Sequence, residues 1–222
     1  SDAIAHNERL DAYAMSLEGF STIFSTPPGE KIDFKVDYLT NIKSANLTAH
    51  DIYTFSLQIY RLGYYGGLGA RLVDTVKLSV NTGLQRSKHN FHSALSYENG
   101  HWLHTQPECN YIESSHTVDC SNWQKSSSWR VPVDAVSGVY LAIPKAVAKF
   151  ENSTLHSFLG QYIPFVVRSK TGTSSALLLK TSDLTWVAYN KFGGWNLYEG
   201  PRSVEGSEKR GNPFASRSTN VS

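Results

Sequence analysis

The stretch "IYRLGYYGGLGARLV", residues 59–73, decides the fold because its four glycines directly follow an apolar, aromatic run. A dinucleotide-binding loop has the pattern G-x-G-x-x-G at the start of a helix, and a triphosphate-binding loop ends in Gly-Lys-Ser or Gly-Lys-Thr. Here position 72 is Leu instead of a third spaced glycine, and no Lys-Ser or Lys-Thr pair follows Gly69. The next residues, "ARLVDTVKLSV", alternate as a strand does. The stretch therefore predicts a hairpin or bulged connection with positive φ angles, and no phosphate site.

The neighbouring segments also alternate between apolar and polar residues. In "KIDFKVDYL" (31–39) the apolar positions share one face, and "YTFSLQIYRL" (53–62) places Arg61 on its apolar side. Further strands are predicted at 71–80, 138–144 and 161–169, and the only hints of helix are short, at 11–20 and 144–152. This pattern is typical of a mainly β protein, and we predict an antiparallel β-sandwich, immunoglobulin-like or jelly-roll-like.

The character of the chain changes near residue 170. "SKTGTSS" has the composition of a linker, and "ALLLKTSDLTWVAYN" (176–190) opens with a continuous apolar run, which is typical of a strand inside a parallel sheet. We predict an N-terminal extension at 1–16, a sandwich at 17–169 with a long loop insertion at 81–128, and at 170–222 a linker with the first strand and loop of an incomplete, truncated α/β domain. The chain would then be a fragment, the front part of a longer protein.

Composition and charge exclude several classes of function. The 222 residues are 40% hydrophobic, enough to bury a core, and a net charge of +2 gives no reason to expect a nucleic-acid partner. No apolar run is long enough for a membrane span. Cys109 and Cys120 enclose a short polar segment, which favours a disulfide in an oxidising compartment over two reduced thiols. With glycosylation sequons at Asn46, Asn152 and Asn220, we expect a secreted or extracellular glycoprotein.

Five segments resemble a known family. They are "LEGFSTIFSTPPGEKIDFKV", "LQIYRLGYYGGLGARLV", "WRVPVDAVSGVYLA", "YIPFVVR" and "SDLTWVAYNKFGGWNLY". In this order they are similar to the large (beta) subunit of N,N-dimethylformamidase, over about residues 17–73 and 129–198. The glycine stretch and the last segment are the most specific parts of the resemblance, and 81–128 has no match.

The resemblance implies a β-sandwich that leads into an α/β catalytic domain, hydrolysis of a small amide, and a mononuclear iron held by a Tyr, a His and a Glu. In the family, the His and Glu lie in an H-x-E motif far downstream of the Tyr. Tyr198 in "GGWNLY" is the preferred match to the ligand, with Tyr189 as the alternative, and no H-x-E follows either tyrosine. We therefore expect iron only in the longer parent, and we expect this chain alone to be inactive. Its partner would be the remainder of its own polypeptide, another subunit or, in a homo-oligomer, further copies of itself.

Other candidates have two readings each. Asp183, Thr185 and Trp186 follow the predicted strand, where α/β sheets gather ligands, but an Asx-turn with a packed Trp explains them equally well. Five histidines between 89 and 116 are polar loop residues or ligands of a loosely bound transition metal, so the role of this segment stays open. A buried Arg61 requires a salt bridge or carbonyl contacts, and substrate binding is the less favoured reading.

Three functions compete. The leading hypothesis is a scaffold and subunit-contact module of an iron-dependent amide hydrolase. The alternative is a non-catalytic extracellular glycoprotein that assembles through its sandwich on a cell surface or in a filament. A weaker alternative is a carbohydrate-binding module with an aromatic platform formed by Tyr60, Tyr64, Tyr65, Trp102, Trp123 and Trp129.

Overall fold

The computed structural model describes residues 15–41, 52–80, 85–86, 102–107, 109–112, 117–149, 155–169 and 177–189. These ranges contain thirteen strands and one helix: β1 (Met15–Ser21), β2 (Ser25–Thr26), β3 (Lys31–Asn41), β4 (Ile52–Leu62), β5 (Ala70–Lys77), β6 (Gln85–Arg86), β7 (Trp102–His104), β8 (Asn110–Ile112), β9 (Thr117–Asp119), β10 (Ser127–Arg130), β11 (Gly138–Lys149), β12 (Leu155–Leu159), β13 (Ile163–Val167) and α1 (Asp183–Tyr189). The predicted mainly β fold is confirmed.

The chain forms two compact units, and the first of them is a β-sandwich. One sheet has the order β1-β3-β7-β6, with β10 also paired to β3. The other has the order β2-β13-β11-β4-β5, with β12 also paired to β11, and only the short β2–β13 pair is parallel among these. The second unit contains the β8–β9 hairpin and α1. This division into two units does not test the domain boundaries expected from the sequence, and those boundaries stay a prediction.

Alternating apolar residues build the interior of the sandwich. Ile32, Phe34, Val36 and Tyr38 of β3 are all buried in one hydrophobic cluster, together with Leu57 and Ile59 of β4, as the period-two pattern predicts. Aromatic rings connect the two sheets in this cluster, because Phe165 of β13 lies 5.7 Å from Phe34 and 5.9 Å from Trp129, centroid to centroid. These positions face each other only when the two sheets pack, which is why the alternating strands need a partner sheet.

Both open sides of the sandwich are bridged by contacts between the sheets. On one side, Trp129 Nε1 of β10 donates to Asp74 Oδ2 of β5 (2.9 Å), and Ser127 Oγ donates to the Lys77 carbonyl (2.8 Å). On the other side, the Gln161 amide donates to the Leu17 carbonyl of β1 (2.8 Å). An edge strand whose polar groups are satisfied in this way is protected from unwanted pairing.

A gap in the strand ladder along β3 is filled by side chains instead of a strand. β10 pairs with residues 31–34 of β3 and β7 with residues 39–41, and between them Gln106 Nε2 donates to the Val36 carbonyl (3.1 Å) and to the Gln124 carbonyl (3.0 Å). The hydroxyl of Ser126 accepts from the Val36 amide (3.0 Å), and that of Thr105 from the Tyr38 amide (2.9 Å). The buried backbone groups of β3 are thus satisfied as a ladder would satisfy them.

Three expectations about secondary structure are wrong. Residues 177–182 have no regular structure, and 183–189 form a helix, so the strand predicted to open an α/β domain is not formed there. Leu177, Leu178 and Leu179 are largely exposed, and an apolar run alone does not distinguish a strand from other structures. The expected helix at 144–152 is strand β11 as far as Lys149, because Ile143 and Ala146 are buried in it and it has neighbours on both edges. The described part of the other expected helix, from Met15, belongs to β1.

No helix in the described ranges has the length and apolar character needed to cross a bilayer.

Candidate functional site

The glycine stretch forms the tip of the β4–β5 hairpin, as the sequence predicts. The Gly63 amide donates to the Gly69 carbonyl (3.0 Å), and a 3-10 turn at Tyr65–Gly67 lies between them. Gly66, Gly67 and Gly69 have φ angles of 68°, 93° and 77°, which glycine adopts without strain. The ladder also contains a bulge, because Ile59 pairs with Asp74 but Tyr60 with Leu72. After Gly69 the chain enters β5, not a helix, so the phosphate-loop reading is excluded by the fold.

Tyr65 is the one residue other than glycine with a positive φ in the described ranges, at 41°. This conformation costs on the order of 1–3 kcal/mol for a non-glycine residue and therefore requires compensating contacts. The Tyr65 hydroxyl accepts a hydrogen bond of 2.6 Å from Arg61 Nη1. Its ring lies near two guanidinium carbons, at 5.9 Å from Arg61 Cζ and 5.1 Å from Arg71 Cζ, within the range of a cation–π contact. These contacts fix the strained residue in place.

Arg61 connects the tip to the loop before β11. Its Nη2 donates to the Ser137 carbonyl (2.9 Å), while Nε is buried without a hydrogen-bond partner. No salt bridge to Arg61 occurs among the residues that the structure describes, so the contact with the Ser137 carbonyl confirms one of the two structural readings made from the sequence. The guanidinium is held by neutral groups, and its charge is not balanced by a nearby described carboxylate.

Two glycines make room for this arrangement. A Cβ on Gly138 would lie 3.3 Å from both Nε and Nη2 of Arg61, and a Cβ on Gly63 would lie 2.8 Å from the ring atom Cε2 of Tyr65. A larger residue at either position would push the guanidinium or the ring away from its partners. The glycine-rich sequence thus serves packing as well as the turn.

Tyr140 lies at the junction between the tip and the interior. Its ring packs 5.6 Å from that of Phe165, and its hydroxyl donates to the Val136 carbonyl (2.7 Å). Burial raises the pKa of Tyr140, and the nearby Arg61 only partly offsets this rise. The phenol therefore stays neutral and acts here as a hydrogen-bond donor.

The surface around the tip is apolar. Tyr64 is 82% exposed and Leu68 54% exposed, and Leu62, Leu72 and Val136 are also exposed large apolar residues on the same two segments. Of the aromatic platform suggested by the sequence, Trp123 and Trp129 are buried and so are not available to a sugar, whereas the side chain of Trp102 lies outside the described residues. Among Tyr60, Tyr64 and Tyr65 of the β4–β5 hairpin, Tyr64 is the exposed residue.

A buried pair of acids on the first sheet was missed by the sequence patterns. Glu18 and Asp37 are directly opposite each other on β1 and β3 and are only 2% and 1% exposed. Asp37 Oδ1 accepts from the amide and the hydroxyl of Thr105 (2.8 and 2.9 Å) and from the Gln106 amide (3.0 Å), whereas Glu18 Oε1 has no partner. Burial, and then the Asp37 charge, raise the pKa of Glu18 well above its usual value. Alternation alone assigns Asp37 to a solvated face, so only the fold reveals this pair.

A sequence model of the family described as "N,N-dimethylformamidase beta subunit-like, C-terminal" matches residues 56–222. The chain belongs to this family. The match contains the hairpin tip and the "SDLTWVAYNKFGGWNLY" segment, the two parts on which the resemblance rested most. The family recognised from the sequence is therefore confirmed.

The other comparisons add little to the family assignment. No curated protein matches the chain. Among solved structures, Spo0M, the sporulation control protein from Bacillus subtilis, matches with a TM-score of 0.33 and 10% identity over 72% of this chain and 50% of that chain. This chain thus spans half of the length of that structure's chain.

The residues that the N,N-dimethylformamidase resemblance would place at an iron site lie at or beyond the end of the described part. Tyr198, the preferred ligand, lies outside it, and Tyr189, the alternative, is the last and exposed residue of α1. No cluster of three His, Cys, Asp or Glu that could hold a metal ion occurs in the described ranges. The described residues alone therefore do not provide the donor set, and we derive no step through iron.

The other predicted site residues are placed as follows. Asp183, Thr185 and Trp186 lie on α1 with exposed side chains, and the Trp186 amide donates to the Ser182 carbonyl (3.0 Å). The idea that these three line a pocket stays a prediction. Four of the five clustered histidines and all three sequon asparagines lie outside the described residues, and of His104 only the backbone is described.

The expected disulfide between Cys109 and Cys120 is present, and both cysteines are buried. It joins the two ends of the β8–β9 hairpin, whose register runs from Asn110 opposite Asp119 to Ile112 opposite Thr117. Trp123 follows the second cysteine closely in sequence. Its amide donates to the Cys120 carbonyl (3.0 Å), and its indole N–H donates to the Pro107 carbonyl (2.8 Å). A short cross-linked hairpin of this kind is stabilised because the bond restricts its unfolded state.

Proposed function

We propose that this chain is the β-sandwich scaffold and subunit-contact module of an N,N-dimethylformamidase-like protein, and that the complete protein hydrolyses small amides with bound iron. The observation that carries the proposal is the family match over residues 56–222. In the reaction, water supplies a hydroxyl group to the acyl carbon and a proton to the nitrogen, and the C–N bond breaks to give a carboxylic acid and an amine. Iron, when bound, would act as a Lewis acid on the amide or on water.

The role of the sandwich in this proposal is mechanical. Its interior is a closely packed aromatic and aliphatic cluster, and both of its open sides are bridged by hydrogen bonds between the sheets. Precise positioning of catalytic groups depends on rigid supporting elements, and a packed sandwich is such an element. Subunit contacts would form through its exposed apolar surfaces.

The test is an activity assay on the protein expressed from its complete gene. We expect purified protein to release dimethylamine and formate from N,N-dimethylformamide when iron is supplied, and to lose this activity when a chelator removes iron. Absence of amine release from simple formamides in the iron-loaded protein would contradict the proposal.

Two matched variants sharpen the assignment of the metal ligand. Tyr198→Phe removes the phenolic oxygen from the preferred candidate, and Tyr189→Phe does the same for the alternative. We expect Tyr198→Phe to lose both iron and activity and Tyr189→Phe to keep both, with iron content measured by elemental analysis. The reverse result would move the ligand to Tyr189.

We also propose that the protein is secreted. A disulfide is stable in oxidising compartments, and three sequons offer sites for glycans. Protein isolated from its native source should lose mass on treatment with an N-glycosidase and should contain no reactive thiol before reduction. Free thiols at Cys109 and Cys120 in native protein would contradict secretion.

The second candidate, a non-catalytic extracellular glycoprotein that assembles through its sandwich, is favoured by exposed large apolar residues of the sandwich, Tyr64 at 82% and Val133 at 77% exposure. Large apolar side chains that are exposed in this way commonly become buried against a partner. The deglycosylated native mass separates the candidates. A polypeptide near 24.7 kDa in an oligomer supports this candidate, and a much heavier polypeptide supports the hydrolase.

A further inference from the structure

Two positive charges face each other at the hairpin tip. Arg61 and Arg71 are directly opposite in the β4–β5 ladder, and both guanidinium groups flank the ring of Tyr65. Like charges at opposite positions of neighbouring strands destabilise a sheet. No salt bridge to either arginine occurs within the described residues. Among the described residues, the positive charge of the tip is therefore unbalanced, and an external anion would neutralise it.

Arg71 has the geometry of a binding residue. Its side chain is exposed and rests against Tyr65, and its guanidinium donates no hydrogen bond to the residues that the structure describes. An arginine presents five N–H donors in a planar fork that suits a carboxylate. Because the ring of Tyr65 already restricts this side chain, less conformational entropy is lost when an anion binds.

The backbone that carries this arrangement is strained at Tyr65. Tyr65 keeps a φ of 41°, and Gly63 and Gly138 leave the space that its ring and the Arg61 guanidinium require. Strain of this kind persists at sites where a fixed geometry has a use. A connection between two strands alone would need none of these contacts to the arginines.

The apolar residues around the charge indicate a polypeptide as ligand instead of a small ion. Tyr64 and Leu68 are exposed at the hairpin tip, and Val136 is exposed beside the Ser137 carbonyl that holds Arg61. Aromatic residues and arginine are enriched in the centres of protein interfaces. A second copy of the same tip is a poor partner, because a twofold contact would bring four guanidinium groups together.

We propose that the hairpin tip is a docking surface for another polypeptide, which places an Asp or Glu carboxylate on Arg71, next to Arg61, and apolar side chains against Tyr64 and Leu68. This inference names the contact surface of the proposed scaffold and rests on that function. Binding can be read without catalysis, so its failure and the failure of amide hydrolysis are distinguishable.

The probe is a library of random 12-residue peptides displayed on phage, selected on the immobilised full chain. We expect the selected peptides to carry Asp or Glu beside apolar residues, and their synthetic versions to bind more weakly as the salt concentration rises. Arg71→Gln should weaken binding of a selected peptide about tenfold or more, since a charge-assisted bidentate contact is lost. Arg71→Lys should restore only part of the affinity, and Tyr64→Ser should weaken binding with unchanged salt dependence.

The matched control is Lys77→Gln, which removes an exposed positive charge at the other end of β5, where Lys77 pairs with Ser56. It should bind the peptides as the unchanged chain does. The proposal is overturned if no peptide is selected, if the selected peptides lack acids, or if Arg71→Gln binds them normally. It is also overturned if sodium acetate alone shifts the NMR signal of Arg71 Nε as strongly as the peptide does, or if sedimentation shows self-association that Arg71→Gln abolishes.

Discussion

Aromatic rings are held at similar distances in the interior of the sandwich and at its hairpin tip, but by different forces. In the interior, the rings of Trp129, Tyr140 and Phe165 lie 5.6–6.0 Å apart and are almost fully buried. At the tip, the ring of Tyr65 lies 5.1 and 5.9 Å from two guanidinium carbons, in a strained backbone next to exposed apolar residues. In the interior the aromatic residues stabilise the fold, whereas at the tip the strained backbone of Tyr65 lowers stability while it keeps the ring beside the two guanidinium groups. Substitutions should therefore affect folding in the interior and binding at the tip.

The largest expected effect is in the interior. Phe165→Ala removes a ring that contacts Phe34, Trp129 and Tyr140, and should lower the free energy of unfolding by about 3–5 kcal/mol. Urea denaturation followed by tryptophan fluorescence measures this loss. Tyr64→Ala, at the exposed tip, is the control and should change stability by about 0.5 kcal/mol or less. Equal losses in both variants would remove the contrast between the two regions.

Two glycines test the same contrast for the backbone. A Cβ on Gly160 would lie too close to the Leu17 carbonyl oxygen for van der Waals contact. A Cβ on Gly66 would meet nothing within 4 Å, so only the φ of 68° at Gly66 opposes that substitution. Gly160→Ala should cost roughly 1–3 kcal/mol or more, because two backbones must separate. Gly66→Ala should lower the free energy of unfolding by roughly 1–2 kcal/mol, because a residue with a Cβ is destabilised in the left-handed region. Thermal denaturation measures the loss of stability in both variants. A larger loss in Gly66→Ala than in Gly160→Ala would contradict this ranking.

The buried acid pair predicts a pH dependence in the body of the sandwich. Since the pKa of Glu18 is raised on folding, the folded chain keeps this proton at pH values where the unfolded chain, with its ordinary value of 4.5, has lost it. The stability that Glu18 contributes is thus complete below pH 4.5 and is lost as the pH rises through the folded pKa. Glu18→Gln should remove this decline and be the more stable form at pH 8, by an amount within the roughly 0.5–3 kcal/mol of single substitutions.

The measurement is a series of urea denaturations between pH 5 and pH 8 on the unchanged chain and on Glu18→Gln. Asp37→Ala is the informative comparison, because it removes the Oδ1 atom that accepts three hydrogen bonds, and this loss should destabilise the fold at every pH. A decline in stability with pH that persists in Glu18→Gln would show that another group causes it.

Among the substitutions that remove a contact, the smallest effect on folding is expected at the tip. Tyr65→Phe keeps the ring and removes the 2.6 Å hydrogen bond from Arg61, so stability should fall by about 0.5–1.5 kcal/mol. Differential scanning calorimetry would detect this shift. The same variant leaves Nη1 of Arg61 without its acceptor, so the orientation of the guanidinium should change in a crystal structure. An unchanged orientation would mean that the Ser137 carbonyl alone holds Arg61.

Much of the fold and the family was accessible from the sequence. Alternation in β3 and β4 predicts their buried faces, because strand side chains point to opposite sides with a period of two whatever the partner is. Glycines 66, 67 and 69 predict the hairpin, since few other residues adopt their φ angles readily. The site was accessible only in part. Arg61 was predicted to need partners, but their identity, Tyr65 and Ser137, follows from the fold.

Local patterns failed where the environment is set by distant parts of the chain. "PKAVAK" has the composition of a helix, yet it is a strand in β11, where pairing to β4 and β12 outweighs its weak intrinsic preference. The leucines at 177–179 have the composition of a buried strand, yet they are exposed and irregular because no described strand pairs with them. In both cases the deciding contacts lie outside the segment itself.

The sequence alone determined the sandwich class, the turn chemistry of residues 63–69, the Cys109–Cys120 disulfide and the family, because each of these depends on short-range spacing or residue type. The tertiary structure alone decided that Glu18 meets Asp37 in a buried pair and that Gln106 replaces a missing stretch of ladder. It also decided that Arg61 and Arg71 share the ring of Tyr65 without a described acid beside them. Burial and charge balance are properties of neighbours in space, and the order of residues along the chain does not specify them.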